Sequence, residues 1–573
     1  MRIKKLLNWL TDNWTLIVIL LIAVFLRLYK LGSIPPHLTS DEASLGYSAY
    51  SILKTGRDEY GELLPIIFKS FGDYKPGLYV YMTIPFVTIL GLTEFATRLP
   101  SAMTGVLAVW LIYKIVLEFI TKENGGQQLN IKQLLPKISA FILAISPWHI
   151  HFSRGAWEAN LSLTLTLAGI YFFLKAIEKP KLLIFSSLFF SSTLLTYQGA
   201  KLSTSIVIFI LVATFWKEIR KWLNSARRDL VASIILGLII SLPIIASIFQ
   251  GKTGRLEVFS IFSYPRNTDQ LATFLSQGKE RVGDVSYYLF HSERLNFARA
   301  IAGRWFNHFS GRFLFFEGDY QNPRHSAPNH GMLLISDVIL LVFGFIEFIR
   351  FRRKLSLFVV LWLILSPLPA VLSRDEVHAI RALNMVIPLT LISSFGLWSI
   401  INWIKQTKNT LLHITYYVLL VFVLLSSSIY FLDAYFIHLS KHSSKNWEYG
   451  YKQIVEAITP IQKNFEQINI QQSFAQPYIF FLFYQKYDPS KYQKQASLVE
   501  SEFKGDVGYV TKLDNICFCA IDWPQNKKEH GALVVADTIR IPDVEIKQTD
   551  VVNLVSEIKY LNGEVALRIV EIK

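Results

Sequence analysis

Long apolar blocks alternate with short basic connections over most of the chain, a pattern that predicts membrane-spanning helices. Trp14–Leu28, Leu230–Phe249, Leu333–Phe348, Leu355–Leu372 and Leu411–Leu432 are almost free of charge. Runs of about 17–25 such residues are long enough to cross a bilayer. Connections rich in Lys and Arg stay cytoplasmic. The N-terminus is one, and 114–137, 175–181, 217–228, 350–354 and 405–408 are the others. Threading spans between them gives about eleven helices. They fall near 14–30, 98–119, 138–152, 161–174, 182–198, 202–216, 230–249, 331–349, 355–372, 382–404 and 411–432. The apolar stretch Pro76–Leu90 contains Pro85 and has no basic connection to the next block, so it reads as re-entrant or interfacial. A true span there would invert everything downstream.

This topology leaves three large segments on the outer face: about 31–97, 250–330 and 445–573. The last changes character. Short β-like runs (Tyr478–Tyr484, Gly531–Asp537, Val565–Val570) follow an amphipathic stretch at Trp447–Ile461. The expected fold is therefore mainly α. A polytopic membrane bundle over 1–432 precedes a small extracytoplasmic α/β domain over 445–573, a normal domain size.

Composition agrees. Of 573 residues, 52% are hydrophobic and 18% charged, and the mean hydropathy is +0.34. A soluble enzyme is excluded, and aromatics at 14% with two cysteines exclude a disordered or disulfide-stapled chain. The net charge of +15 would suggest nucleic acid in a soluble protein. Here the basic residues sit in connections that set topology, so no nucleic-acid partner is expected. No small-residue cleavage site follows the first apolar block, which reads as an uncleaved span. Cys517 and Cys519 are two structural thiols or one strained disulfide, and cannot build a zinc site unaided.

Candidate chemistry clusters on the outer face. "HLTSDEASLGYSAY" carries Asp41 and Glu42, which could supply a general base or a metal ligand. Thr39-Ser40-Asp41-Glu42 is also a capping box, so Glu42 can cap a helix while Asp41 projects into a cavity. Lys75, before Pro76 and Gly77, presents a cation where an anionic head group would sit, or snorkels at the interface. "SPWHIHFSRGAWEAN" offers Arg154 and Glu158, whose i,i+4 spacing also permits a simple helical pair. His149 and His151, two apart, would point to opposite sides of a helix, which argues against joint ligation. "SRDEVHAIRALNMVIP" places His378 and Arg381 at the start of an apolar helix, where anions bind. Arg324 and His325 form a weak motif in the long loop. Gly251-Lys252-Thr253 mimics the end of a nucleotide loop, but the earlier glycine it needs is Ala246.

Four of these segments, in order, resemble the multi-spanning glycosyltransferases of the C-type fold, in the protein mannosyltransferase and aminoarabinose transferase branch. They are the acidic pair, "KPGLYVY", "RLPSAMTGVLAVWLIYKIV" and "SPWHIHFSRGAWEAN". The resemblance covers roughly the first 200 residues and more loosely the spans to about 405. It implies transfer of a sugar from a polyprenyl-phosphate donor to a protein, lipid or cell-wall acceptor at the outer membrane face. It also implies that Asp41 is the first-loop acid, Lys75 the lysine before the proline, and Glu158 the second-loop acid, often Asp in the family. The chemistry needs a base for the acceptor hydroxyl, here Asp41 or Glu42. It also needs cations for the departing phosphate, here Lys75, Arg154, Arg381 and His378. No cofactor is certain from this pattern; a divalent cation held by Asp41 and Glu158 is possible, although the sequence lacks a dense ligand cluster. The rival class is a transporter or flippase of lipid-linked sugars, which would place ionisable groups near the bilayer midplane. A non-catalytic glycan-binding protein is a third.

Overall fold

The computed structural model describes residues 2–573 except 124–128, 253–259, 352–353, 474 and 501–506. Thr253 of the nucleotide-loop mimic, and parts of the basic connections 114–137 and 350–354, lie outside the described residues.

The chain is mainly helical, with a strand-rich C-terminal region. Among the described residues six helices are long and apolar enough to cross a membrane: Glu94–Lys122, Glu158–Ala176, Arg227–Phe249, Lys354–Val371, Leu383–Lys405 and Thr410–His442. A seventh span results if Ala200–Thr214 and Trp216–Ser225, bent by 81°, are one element. The remaining expected spans are shorter helices, among them Asn13–Leu28, Gln133–Ile145 and Pro180–Leu194. Leu78–Leu90 is likewise a short apolar helix.

Two spans are mostly exposed on the protein's own surface. Only 17% of the Arg227–Phe249 window and 11% of the Thr410–His442 window are buried. Apolar helices that bury so little against protein need lipid around them. Glu158–Ala176 and Leu383–Lys405, buried over 78% and 72% of their windows, are the inner helices.

The C-terminal region carries a six-stranded mixed sheet in the order Lys512–Leu513, Ile516–Cys519, Ile468–Gln471, Leu533–Ala536, Val565–Ile572, Val552–Lys559. Ile468–Gln471 runs parallel to both its neighbours, and the other pairings are antiparallel. Tyr478–Tyr484 is not a strand: Pro477–Tyr484 is a helix, with Pro477 in its first turn. An apolar run buried on every side carries no period to separate helix from strand. Cys517 and Cys519 are free thiols.

One apolar core joins this region to the loop 31–97 that follows the first span. Ala43, Tyr47 and Ile52 of helix Ser40–Thr55 share it with Phe480 and Phe483 of Pro477–Tyr484 and with Ile468 and Phe518 of the sheet. Gly46 marks the closest approach, since a Cβ there would meet the Phe483 ring and the Thr97 hydroxyl at 2.6 Å each. The helix that carries the acidic pair is thus pinned from below by the spans and from above by the C-terminal region.

Candidate active site

The helix Ser40–Thr55 starts with a complete capping box. The Glu42 N–H donates to Thr39 Oγ1 at 3.3 Å and the Thr39 N–H donates to Glu42 Oε2 at 3.0 Å. Its far end is closed by Gly56 at φ 69°, a left-handed position that suits glycine. Glu42 has further partners. Its carboxylate receives Arg98 Nε at 2.9 Å, Arg98 Nη2 at 3.0 Å and the Ala156 N–H at 2.8 Å. Arg98 and Glu42 are 0% and 1% exposed. The remaining Arg98 donors reach the carbonyls of Leu31, Pro35 and His37. Glu42 therefore ties the loop after the first span to the spans that follow it.

Asp41, one position earlier, turns the other way. Its carboxylate pairs with Lys75, and its side chain is 49% exposed. Lys75 stands on the hairpin Ile67–Ser70/Asp73–Pro76. The two turn residues, Phe71 and Gly72, have φ 53° and 81°, as a two-residue hairpin of the mirror-image type demands. A left-handed non-glycine costs about 1–2 kcal/mol. Burial of Phe71 and a hydrogen bond from the Gly508 N–H to its carbonyl at 2.7 Å hold it there. Asp73 and Lys75, two apart on one strand, share a face. Burial opposes the Lys75 charge, but Asp41, Glu158 and Asp73 together raise its pKa above the usual lysine range. These acids favour the charged form of Lys75.

These residues line a cavity of about 570 Å³. Asp41, Asp73 and Lys75 form one wall, and Glu158, the first residue of Glu158–Ala176, a second. Tyr197, Gln198 and Lys201 close a third side, tied to the hairpin by Gln198 Nε2, which donates to the Tyr74 carbonyl at 2.6 Å. Arg381 completes it, held by Asp375 at 2.7 Å and 16% exposed. Three carboxylates thus face three cations. Phe71, Pro76, Leu202, Phe262, Pro369 and Leu372 supply an apolar lining.

Of the residues singled out by sequence, Asp41, Lys75, Glu158 and Arg381 meet in this cavity. Glu42, Arg154 and His378 are not among its lining residues. Arg154 does not share a helix with Glu158: Pro147–Phe152 ends before it, and the next helix begins at Glu158. Its guanidinium donates instead to the carbonyls of Leu26, Tyr29 and Ile34, sealing the end of the first span. His378 is buried, and its N–H donates to His308 Nε2 at 3.2 Å. His149 and His151 separate: His149 Nδ1 meets Arg27 Nη2 at 2.7 Å, while the His151 ring lies 6.1 Å from that of Trp447. Among the described residues Asp41 and Glu158 belong to no three-ligand group; one such group exists elsewhere, at Asp319, His325 and His378.

Sequence reading did not single out Asp73, Lys201 or Glu448. Asp73 was findable, because its two-residue spacing from Lys75 places both on one strand face. Lys201 and Glu448 had no local signal. Glu448 approaches from beyond the last span, and its Oε2 accepts the Ser40 N–H at 2.7 Å, with Arg324 3.8 Å from its other oxygen. Burial pushes its carboxyl up to about 8 against the opposing pull of Arg324.

No protein-family model matches the chain, and no curated protein matches it by sequence. Solved structures do. ArnT from Cupriavidus metallidurans bound to undecaprenyl phosphate superposes with a TM-score of 0.52 at 11% identity, over 97% of this chain and 98% of that one. The chain has the C-type glycosyltransferase fold. The apo form of the same protein gives a TM-score of 0.52 over 98% of each chain. The oligosaccharyltransferase AglB from Archaeoglobus fulgidus overlaps 83% of this chain and 64% of its own at 11% identity, with a TM-score of 0.48. The expectation of a helical membrane protein of this fold is met.

Proposed function

We propose that the chain is a membrane glycosyltransferase that moves a sugar from a polyprenyl-phosphate donor to an acceptor hydroxyl at the outer face of the membrane. The observation that carries the reading is the meeting of Asp41, Glu158, Lys75 and Arg381, remote in sequence, in one cavity with an apolar lining. A sugar phosphate of a long-chain lipid needs cations for its phosphate, polar room for its sugar and an apolar passage for its chain. The cavity offers all three.

Each side chain then has a role. Lys75 and Arg381, with Lys201, bind the phosphate and neutralise the charge it gains as the anomeric C–O bond breaks. A lipid phosphate leaves readily, so no strong general acid is required. Asp41 takes the proton of the attacking hydroxyl, or orients the group that does. It sits in the first turn of Ser40–Thr55, where the helix's positive end favours a carboxylate. Glu158 faces the sugar as the second acid and, with Asp41, is the pair available for a divalent cation if transfer requires one. Glu42 and Arg154 act from outside the cavity by fixing the loop that presents Asp41. The N-terminus is then cytoplasmic and the C-terminal region extracytoplasmic, in line with the basic connections.

The test is donor use by purified protein. A polyprenyl-phosphate sugar with a labelled sugar should lose its label to acceptor, and a Lys75→Met, Arg381→Met double variant should do so poorly at limiting donor. Unimpaired transfer by that variant would remove both residues from the phosphate site. Movement of intact donor across vesicles, without cleavage, would favour a flippase instead.

A further inference from the structure

A second cluster of chemically able side chains lies outside the cavity. Asp319 and His325 come from the long outer loop and His378 from the turn that leads into Leu383–Lys405, and all three are buried. One donor atom from each lies within 4.8 Å of the others. The His325 and His378 rings are 5.1 Å apart, centre to centre. The Asp319 carboxylate thus sits, buried, beside two imidazoles, an arrangement of donor atoms that a single ion can draw together.

We propose that Asp319, His325 and His378 bind a zinc ion that clips the long outer loop to the turn presenting Arg381. Two imidazoles and one carboxylate are a borderline donor set that suits zinc over magnesium or calcium. Ligand atoms about 2.0–2.2 Å from a tetrahedral zinc stand about 3.3 Å from one another. His325 Nδ1 and Asp319 Oδ2 are 2.9 Å apart, so zinc replaces the proton between them with a shift of a few tenths of an ångström. The third donor comes from the His378 ring, whose nitrogen lies within 4.8 Å of the other two donor atoms and draws in by up to about 1.5 Å to meet that spacing, and a water completes the coordination.

The surroundings act as a second shell. Asp319 Oδ1 receives the Asn322 N–H and Nδ2, both at 3.1 Å, which fixes the carboxylate. Asp319 Oδ2 also receives the Ala379 N–H at 2.8 Å, so the two segments already touch at the ligand set. Hydrogen bonds alone explain that contact. The second imidazole beside it is held only loosely: His378 Nδ1 takes the Arg381 N–H at 3.4 Å and its Nε2 stands 4.0 Å from Asp375 Oδ2. The consequence for function rests on the reading above: His378 is three residues from Arg381, and an ion there holds that turn against the long loop.

The experiment uses the full-length protein in detergent, stripped with a chelator and titrated with ZnCl2 against a chromogenic competitor. One zinc per chain should bind and raise the thermal unfolding temperature. His325→Ala and His378→Ala should each lose more affinity than the roughly 10–100-fold that removal of an outer-shell partner costs. X-ray absorption of the wild-type zinc protein guards against variants that fail to fold. It should show nitrogen and oxygen ligands with imidazole scattering. Sulfur ligands would move the ion to Cys517 and Cys519 and overturn the proposal, as would no zinc above trace or equal binding by both variants. These readouts need no sugar transfer, so the site stands or falls apart from the enzymatic reading. Zinc removal should also raise KM for the lipid donor while kcat changes little; the reverse pattern would overturn the clip's link to Arg381.

Discussion

Asp41 and Glu42 are neighbours of the same charge with opposite expected responses to neutralisation. Glu42 is 1% exposed and its carboxylate accepts two bonds from Arg98, itself 0% exposed. Glu42→Gln keeps the shape and an acceptor for the Ala156 N–H, but leaves the Arg98 charge buried against three carbonyls and an amide. Breaking one partner of a buried pair costs about 3–5 kcal/mol. The surviving carbonyl contacts to Leu31, Pro35 and His37 place this case near the low end. Asp41 differs in each respect. Its side chain is 49% exposed, so its pair with Lys75 is screened by solvent and Asp41→Asn should cost about 1 kcal/mol or less. An amide cannot accept the acceptor's proton, so turnover should fall by about two to four orders of magnitude. Both variants would be purified in one detergent, then compared by thermal unfolding and by single-turnover transfer from a polyprenyl-phosphate sugar. The expected result is a crossed one, Asp41→Asn folded and inactive, Glu42→Gln destabilised with catalysis lost only in proportion to unfolded protein. If Asp41→Asn turns over like wild type, the base assignment fails and Glu158 is next. If Asp41→Asn unfolds as readily as Glu42→Gln, Asp41 is structural.

Lys75→Met or Arg381→Met should each raise KM for the donor, with charge-assisted contacts of about 1.5–3 kcal/mol at stake, read from initial rates at varied donor. Glu448 makes stability pH-dependent. Its folded pKa is raised to about 8 from 4.5, by burial and despite Arg324, so its neutral form favours folding. That contribution is complete below pH about 4.5 and is lost as pH rises through about 8; unfolding temperatures of wild type and Glu448→Gln should therefore diverge as pH rises, and parallel curves would count against it. Gly72→Ala, at φ 81° with a Cβ 3.3 Å from the Gly508 nitrogen, should destabilise the hairpin and lower turnover, and an unchanged unfolding temperature would show the turn to be uncritical. Reporter fusions after Lys408 and after Asp433 should report opposite sides of the membrane; agreement between them would invert the outer-face assignment.

What could be read in advance followed the range of the forces involved. The capping box was legible because Thr39 and Glu42 meet within a single turn, and the adjacent Asp41 then had to point elsewhere. Lys75 was legible as a cation before a proline, though its register opposite Phe68 required the hairpin. The Arg154–Glu158 spacing misled, because i,i+4 matters only on a continuous helix and the chain breaks near Gly155. Pro477–Tyr484 misled for the opposite reason, since burial on all sides erased its period. Contacts such as Glu448 on Ser40, 408 positions apart, leave no local trace.

The shared core shows what the C-terminal region supplies to the helix that carries Asp41. Ser40–Thr55 presents Asp41 at its first turn, and the proposed role of Asp41 as base requires that turn to be held with little play. The helix is amphipathic in an unusual sense: ten of its residues are buried, so neither side faces bulk water for long. One side meets Glu94–Glu123 and Leu78–Leu90, the other Pro477–Tyr484. Spans alone would leave the second side bare, an apolar surface in water at the mouth of the cavity. Covering it with a strand-rich region anchored by the last span gives Asp41 a rigid mount, and Glu448 adds a direct hydrogen bond to the residue before it. A chain cut after Asp433 should therefore keep its spans yet lose activity, through a loosened first turn and not through any missing reactive group. Hydrogen exchange at the Ser40, Asp41 and Glu42 amides of the cut chain would decide the point: protection equal to that of the intact protein would refute the mount.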